Sequence, residues 1–234
     1  MNENAETKRV AVIAGASGLV GTELLQLLLQ SEDYQQVVAL VRRPLELTHP
    51  NLRQITVMFG ELPQLSAFTK ADVFCALGTT LKQAGSREAF RAVDYDAALA
   101  FAQVAAGGAA RQFMLVSSIG ANARSNTFYL QVKGELEEGL KPLPFQSLHI
   151  FRPSFLVGNR PESRPGELLG VVVAKALEFA FVGKLKKYSA IDAIDLAAAM
   201  LAAAHRAEPG VHTYEYEQIL ALAKARASEP DVML

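Results

Sequence analysis

The chain alternates short, nearly continuous apolar runs with longer segments whose apolar positions recur at helical spacing. Arg9-Val-Ala-Val-Ile-Ala14 is the first such run. It is rich in β-branched residues and lacks an alternating polar face, which predicts a strand buried on both sides in a parallel sheet. Thr22–Gln30 (TELLQLLLQ) is leucine-rich and predicts a helix, ended by Ser31-Glu-Asp-Tyr. Further strands are predicted at Val37–Val41, Ile55–Phe59, Val73–Leu77, Gln112–Val116 and Ser147–Phe151. An alanine-rich helix over Val93–Ala106 precedes the Gln112–Val116 strand. This alternation predicts an α/β fold, a doubly wound parallel sheet with helices on both faces. Such sheets place ligands beyond the carboxyl ends of their strands, so the residues just after each strand are where chemistry is sought.

After Gly158 the rhythm breaks. Pro161, Pro165 and Gly166 precede the apolar stretch Leu168–Val182. Residues 158–188 read as an insertion that forms a substrate pocket, with an amphipathic helix over the cleft. Helices follow at Asp192–Ala204 and Tyr216–Ala225, with a short strand near His212–Glu215. The whole chain, 1–234, reads as one domain with a flexible arm over 1–8. Lys175 and Glu178 inside Leu168–Val182 argue against a membrane span.

Composition narrows the partners. The chain has 234 residues, 50% of them hydrophobic and 20% charged, and a formal net charge of −1. That is enough apolar material for a packed core. The charge balance excludes nucleic acid and anionic membrane as main partners, because both select a basic excess. A small-molecule substrate and a monomer or homodimer are expected. One cysteine, Cys75, and a polar N-terminal arm without an apolar signal segment point to a reducing compartment, taken as the cytoplasm. His49, His149, His205 and His212 show no metal-ligand spacing.

The first strand runs into Gly15-Ala-Ser17-Gly18-Leu19-Val20-Gly21. The first glycine permits a tight turn, the second a close approach of backbone to a pyrophosphate, the third close packing of helix on strand. The helix N-terminus then offers free N–H groups to phosphates. A strand before and a helix after supply the context that makes a glycine triplet a dinucleotide site, hence a Rossmann-type sheet. At the end of the second strand, an acid would accept from a free ribose 2′-OH; this chain has Arg42 and Arg43 instead. Guanidinium groups pair with a 2′-phosphate, so the expected cofactor is NADP(H).

The strand at Gln112–Val116 ends in Ser117-Ser118, and Tyr129-Leu-Gln-Val-Lys133 follows. Tyrosine and lysine at i and i+4 share a helix face. Reduction of a carbonyl needs a hydride and a proton. Tyr129 is expected as general acid/base, Lys133 as the ammonium that favours its phenolate and bonds the nicotinamide ribose, and Ser118 as the group that polarises the carbonyl. Ser117 is the alternative to Ser118. Asn122 is a further candidate for orienting water or substrate.

The glycine spacing resembles that of the short-chain dehydrogenase/reductase superfamily, in its extended or atypical branch. The resemblance implies dinucleotide contacts from Ser17, Gly18, Leu19 and Val20. It implies adenine contact by Gly60-Glu61-Leu62, where glutamate replaces the usual aspartate, and lining of the ribose and diphosphate by Ala76, Leu77, Gly78 and Thr79. Arg152-Pro153-Ser154-Phe155-Leu156-Val157-Gly158 resembles a run that passes the nicotinamide. Together with V-S-S-I-G-A-N and F-Y-L-Q-V-K-G-E-L-E, these motifs are similar to the atypical members related to the Tat-interacting protein oxidoreductases, over about Arg9 to Ala225. The resemblance implies NADPH binding and a retained Tyr/Lys pair, with no known small-molecule substrate. A cofactor-sensing regulator acting through protein partners is the alternative. A nucleotide-sugar epimerase would need a larger C-terminal lobe.

Overall fold

The computed structural model describes residues 9–59, 62–158 and 189–227. Its centre is a seven-stranded sheet built from β1 (Arg9–Ala14), β2 (Tyr34–Val41), β3 (Leu52–Thr56), β4 (Asp72–Cys75), β5 (Gln112–Val116), β6 (Ser147–Phe151) and β9 (Gly210–Tyr214). The order is β3-β2-β1-β4-β5-β6-β9, and every pairing is parallel. Chain direction therefore reverses its lateral course between β1 and β4, which opens a crevice at their carboxyl ends. A second, two-stranded parallel ladder joins β7 (Leu156–Val157) to β8 (Ile191–Asp192).

Strand alternation distributes the core over two layers. Ala11 and Ile13 of β1, Phe74, Met114 and Phe151 point to one face, where α1 (Leu19–Gln30) and the C-terminal helices pack. Val12, Ala14, Val73, Cys75, Phe113, Leu115 and Ile150 point to the other. That second face is covered by α4 (Ala98–Gly107) and α5 (Phe128–Leu140) through Phe101, Ala102, Leu136 and Leu140. Both faces being covered is why the strands read as unbroken apolar runs. The remaining helices are α2 (Leu81–Ala84), α3 (Arg87–Arg91), α6 (Ala193–Arg206) and α7 (Tyr216–Ala227).

Several boundaries differ from the sequence expectation. The Val93–Ala106 helix is the end of a longer helical run that begins at Arg87 and contains a π-helical stretch, Ala92–Ala97. β3 lies three residues earlier than Ile55–Phe59, because its edge position leaves most of its side chains only half-buried and apolar content locates it poorly. The first helix begins at Leu19, inside the glycine turn. The arm over 1–8, Gly60-Glu61 and the Leu168–Val182 helix lie outside the described residues.

At the amino ends of the strands, opposite the crevice, the carboxylate of fully buried Asp72 accepts from Arg9, Tyr34, Arg111 and Gln112. Arg9 and Gln112 also donate to the Ala204 carbonyl of α6. One side chain thus ties four central strands and a covering helix together.

Candidate active site

The crevice begins at Gly15. Its φ of +88° lies in the left-handed region, and a Cβ there would fall 2.4 Å from the Ala76 carbonyl carbon. A Cβ on Gly21 would lie 2.0 Å from the Gly15 carbonyl oxygen. Both positions therefore require glycine, and the turn after β1 is pressed against the turn after β4. Gly18 is the N-cap of α1 and no side chain caps it; the first helical turn carries no acid. Its N–H groups and positive dipole end are thus left to an anion. Val20 is buried, whereas Ser17 is exposed at the mouth. Arg42 and Arg43 follow β2, the strand next to β1, and both are exposed. The residues present fit a dinucleotide: glycines where only backbone fits, an uncapped helix end, and two exposed guanidinium groups at the end of the neighbouring strand.

Ala76-Leu77-Gly78-Thr79 continue the crevice floor, with the Ala76 N–H on the Ala14 carbonyl at 2.9 Å. Cys75 beneath them is fully buried, and burial pushes its thiol up to about 11, so it is a core residue rather than a nucleophile.

The loop after β5 lies along α5. The Asn122 N–H donates to the Leu130 carbonyl at 3.0 Å, and a Cβ on Gly134 would meet the Asn122 carbonyl carbon at 2.2 Å. This close approach sets Ser118, at the start of the loop, beside the helix that carries Tyr129 and Lys133. The Ser118 hydroxyl makes one long bond, 3.4 Å to the Ile119 carbonyl. The Ser117 hydroxyl instead donates to buried Glu137, which is also gripped by the Arg152 guanidinium, with Nε at 3.0 Å. So the side chains of Ser117 and Arg152 both bond Glu137. Asn122 is likewise spoken for, its side-chain oxygen accepting from the Arg124 N–H at 2.8 Å.

Lys133 is buried, and its Nζ stands 2.8 Å from Oδ1 of Asp94, itself 1% exposed. Oδ2 of Asp94 accepts the Thr79 N–H at 2.8 Å. Burial depresses the Lys133 ammonium, but the Asp94 charge, helped by Tyr129, outweighs it and holds the ammonium above its ordinary range. A Cβ on Gly78 would lie 3.9 Å from Nζ, so the ammonium abuts the crevice floor. Tyr129 is half-buried with its ring 5.7 Å from that of Phe90.

The Arg152–Gly158 run closes the far side. The Ser154 hydroxyl donates to the Ser189 carbonyl, the Ile191 N–H bonds the Phe155 carbonyl at 2.9 Å, and Pro153 accepts the Ile119 N–H at 2.9 Å. Phe155 is exposed and Leu156 half-buried. A Cβ on Gly158 would press on Leu19 at 2.9 Å, so the run crosses back over the glycine turn.

The sequence reading passed over Asp94 and Glu137. The available signal was a pair of acids, Asp94 and Asp96, at the start of the largely apolar 93–106 helix, and an acid one turn beyond Lys133. Their partners come from other elements, and the π-helical stretch shifts the helical register that would single out Asp94 from Asp96. Among the described residues there is no cluster of three metal-ligating side chains, and no helix is long and apolar enough to cross a membrane.

Comparison with known proteins places these features. A family model described as HIM1 matches residues 28–181. The protein HTATIP2 of Rattus norvegicus is 43% identical over 162 residues, which are 67% of this chain and 66% of that protein. Protein FMP52-1, mitochondrial, of Scheffersomyces stipitis is 36% identical over 163 residues, covering 66% of this chain and 70% of its own. Among solved structures, the Bordetella bronchiseptica enzyme WbmH in complex with NAD+ superimposes with a TM-score of 0.67 over 93% of this chain and 80% of that one. At 16% identity this likeness shows the shared fold alone. The fungal relatives correct the cytoplasmic expectation, since their names place them in mitochondria. Cysteine usage separates reducing from oxidising compartments and does not tell one reducing compartment from another.

Proposed function

The chain belongs to the HIM1 family and is an atypical short-chain dehydrogenase/reductase related to HTATIP2, and from that premise we propose that it is an NADP(H)-dependent oxidoreductase of a small carbonyl or alcohol substrate. The observation that carries this reading is the placement of buried Lys133 against Gly78, in the same strand-end crevice that the Gly15–Gly21 turn opens. Arg42 and Arg43 favour the 2′-phosphorylated cofactor by charge and by the absence of an acid beside them.

A nicotinamide cofactor held there by the glycine turn would supply the hydride that a carbonyl reduction needs. The chain's own residues handle the proton and the developing charge. The Ser118 hydroxyl, whose bond among the described residues is a long one to the Ile119 carbonyl, donates to the carbonyl oxygen and polarises it. Tyr129 passes the proton of its Oη to that oxygen as the hydride arrives, giving the alcohol; in the oxidative direction it takes the proton back. The Lys133 ammonium stabilises the phenolate left on Tyr129 and offers its remaining protons to ribose hydroxyls.

The test is consumption of NADPH, followed by absorbance, against a panel of small aldehydes and ketones. Tyr129→Phe is expected to lower turnover about a hundredfold or more with cofactor affinity nearly unchanged. Equal turnover by the variant would remove Tyr129 from the chemistry. NADPH binding with no turnover of any substrate would favour a cofactor sensor instead.

A further inference from the structure

Lys133 is itself buried, and its charge is matched by a buried partner. Three separate observations converge on that partner. Asp94 sits in the middle of the π-helical stretch Ala92–Ala97, a distortion that recurs at functional sites. Its two oxygens face two different parts of the crevice: Oδ1 meets Lys133 Nζ at 2.8 Å, and Oδ2 accepts the Thr79 N–H at 2.8 Å. Gly78 lies directly against the pair, its Cβ position 3.5 Å from Oδ1. The titratable groups facing Lys133 are Asp94 from the π-helical stretch, Tyr129 from its own helix and Cys75 from the end of β4. Asp94 supplies the countercharge, because burial keeps Cys75 a neutral thiol.

We propose that Asp94 is a positioning residue that locks the Lys133 ammonium to the Ala76–Thr79 loop, so that the adenosine side and the nicotinamide side of the cofactor crevice are fixed to each other and the ammonium is kept charged without solvent. This rests on the cofactor reading above. A buried ammonium without its carboxylate gives up its proton rather than stay charged in a low-dielectric site. Asparagine at 94 keeps an oxygen for the Thr79 N–H and removes only the charge, so it separates pairing from packing.

The experiment titrates the full-length chain and Asp94→Asn with NADPH by nicotinamide fluorescence between pH 7 and pH 9. The unaltered chain is expected to hold a nearly constant affinity. The variant is expected to lose about tenfold or more across that range, as Lys133 deprotonates. In parallel, the thermal midpoints of Asp94→Asn, Lys133→Met and the double variant are compared. Each single change leaves one buried charge unmatched and lowers the midpoint; the double change removes both and recovers most of the loss. A pH-independent affinity in Asp94→Asn, or a double variant no more stable than the singles, would overturn the proposal. If the unaltered chain binds neither NADPH nor NADH, the cofactor reading fails, while the midpoints still decide whether the two side chains act as a pair.

Discussion

His149 shows how much a single buried side chain can set. It lies in β6 with no exposed surface, its Nδ1 3.0 Å from the Tyr214 hydroxyl and its Nε2 without a hydrogen-bond partner among the described residues. Burial, with the adjacent His212, lowers its pKa to about 4 from its ordinary 6.5. The unfolded chain therefore takes up the proton first as pH falls, and stability present above pH 6.5 is lost progressively toward pH 4. Urea unfolding at pH 7 and pH 5 should show a loss on the order of 2 kcal/mol that a His149→Phe variant lacks. An equal acid slope in both proteins would show that His149 is not the group responsible. At this scale the sequence was legible where chemistry is local. The i, i+4 spacing put Tyr129 and Lys133 on one helix. It was illegible where a residue's role is set by its partner: the Ser117 hydroxyl and the Arg152 guanidinium both bond Glu137, an acid that no spacing in the sequence singles out.

Among the elements, the strands were readable because both faces of the sheet are covered and their apolar runs have no alternative use. β3 escaped this logic by lying at an edge, and the β7–β8 ladder because two-residue strands leave no periodic trace. The helix over Val93–Ala106 was visible, whereas its π-helical beginning is a matter of hydrogen-bond register that side-chain chemistry does not encode. What fastens the elements is concentrated at Asp72. Removing that carboxylate leaves Arg9, Arg111, Tyr34 and Gln112 without their shared acceptor, so Asp72→Ala is expected to cost roughly 3–5 kcal/mol in denaturant unfolding. Since Asp72 sits at the amino ends of the strands, the protein that remains folded should bind cofactor as tightly as the unaltered chain. A loss under about 1 kcal/mol would mean that water replaces the carboxylate, and that the knot adds little.

In the molecule as a whole, the candidate site lies at one end of the sheet and the Asp72 fastening at the other. Every group expected to meet the cofactor, among the described residues, follows a strand's carboxyl end or sits on a helix packed against one. The glycine turn, the β4 loop and the Lys133–Asp94 pair form a continuous floor. Arg42 and Arg43 stand at one edge of that floor, and the Arg152–Gly158 run closes the other. The parallel sheet, and a site beyond the carboxyl ends of its strands, followed from the strand-helix alternation, because parallel strands with crossover helices leave few other arrangements. Substrate identity did not, since the pocket reading rested on residues 158–188, whose spacing carries no chemical signature.

Whether this crevice takes a 2′-phosphorylated dinucleotide is decided by the affinity for NADPH and NADH, measured by nicotinamide fluorescence. The chain contains no tryptophan, so overlapping intrinsic emission is small. Tight NADPH binding with much weaker NADH binding is expected. Changing Arg42 and Arg43 together to alanine should erase that preference, each charge-assisted contact being worth roughly 1.5–3 kcal/mol. Equal affinity for the two cofactors in the unaltered chain, or a preference that survives loss of both arginines, would contradict the account.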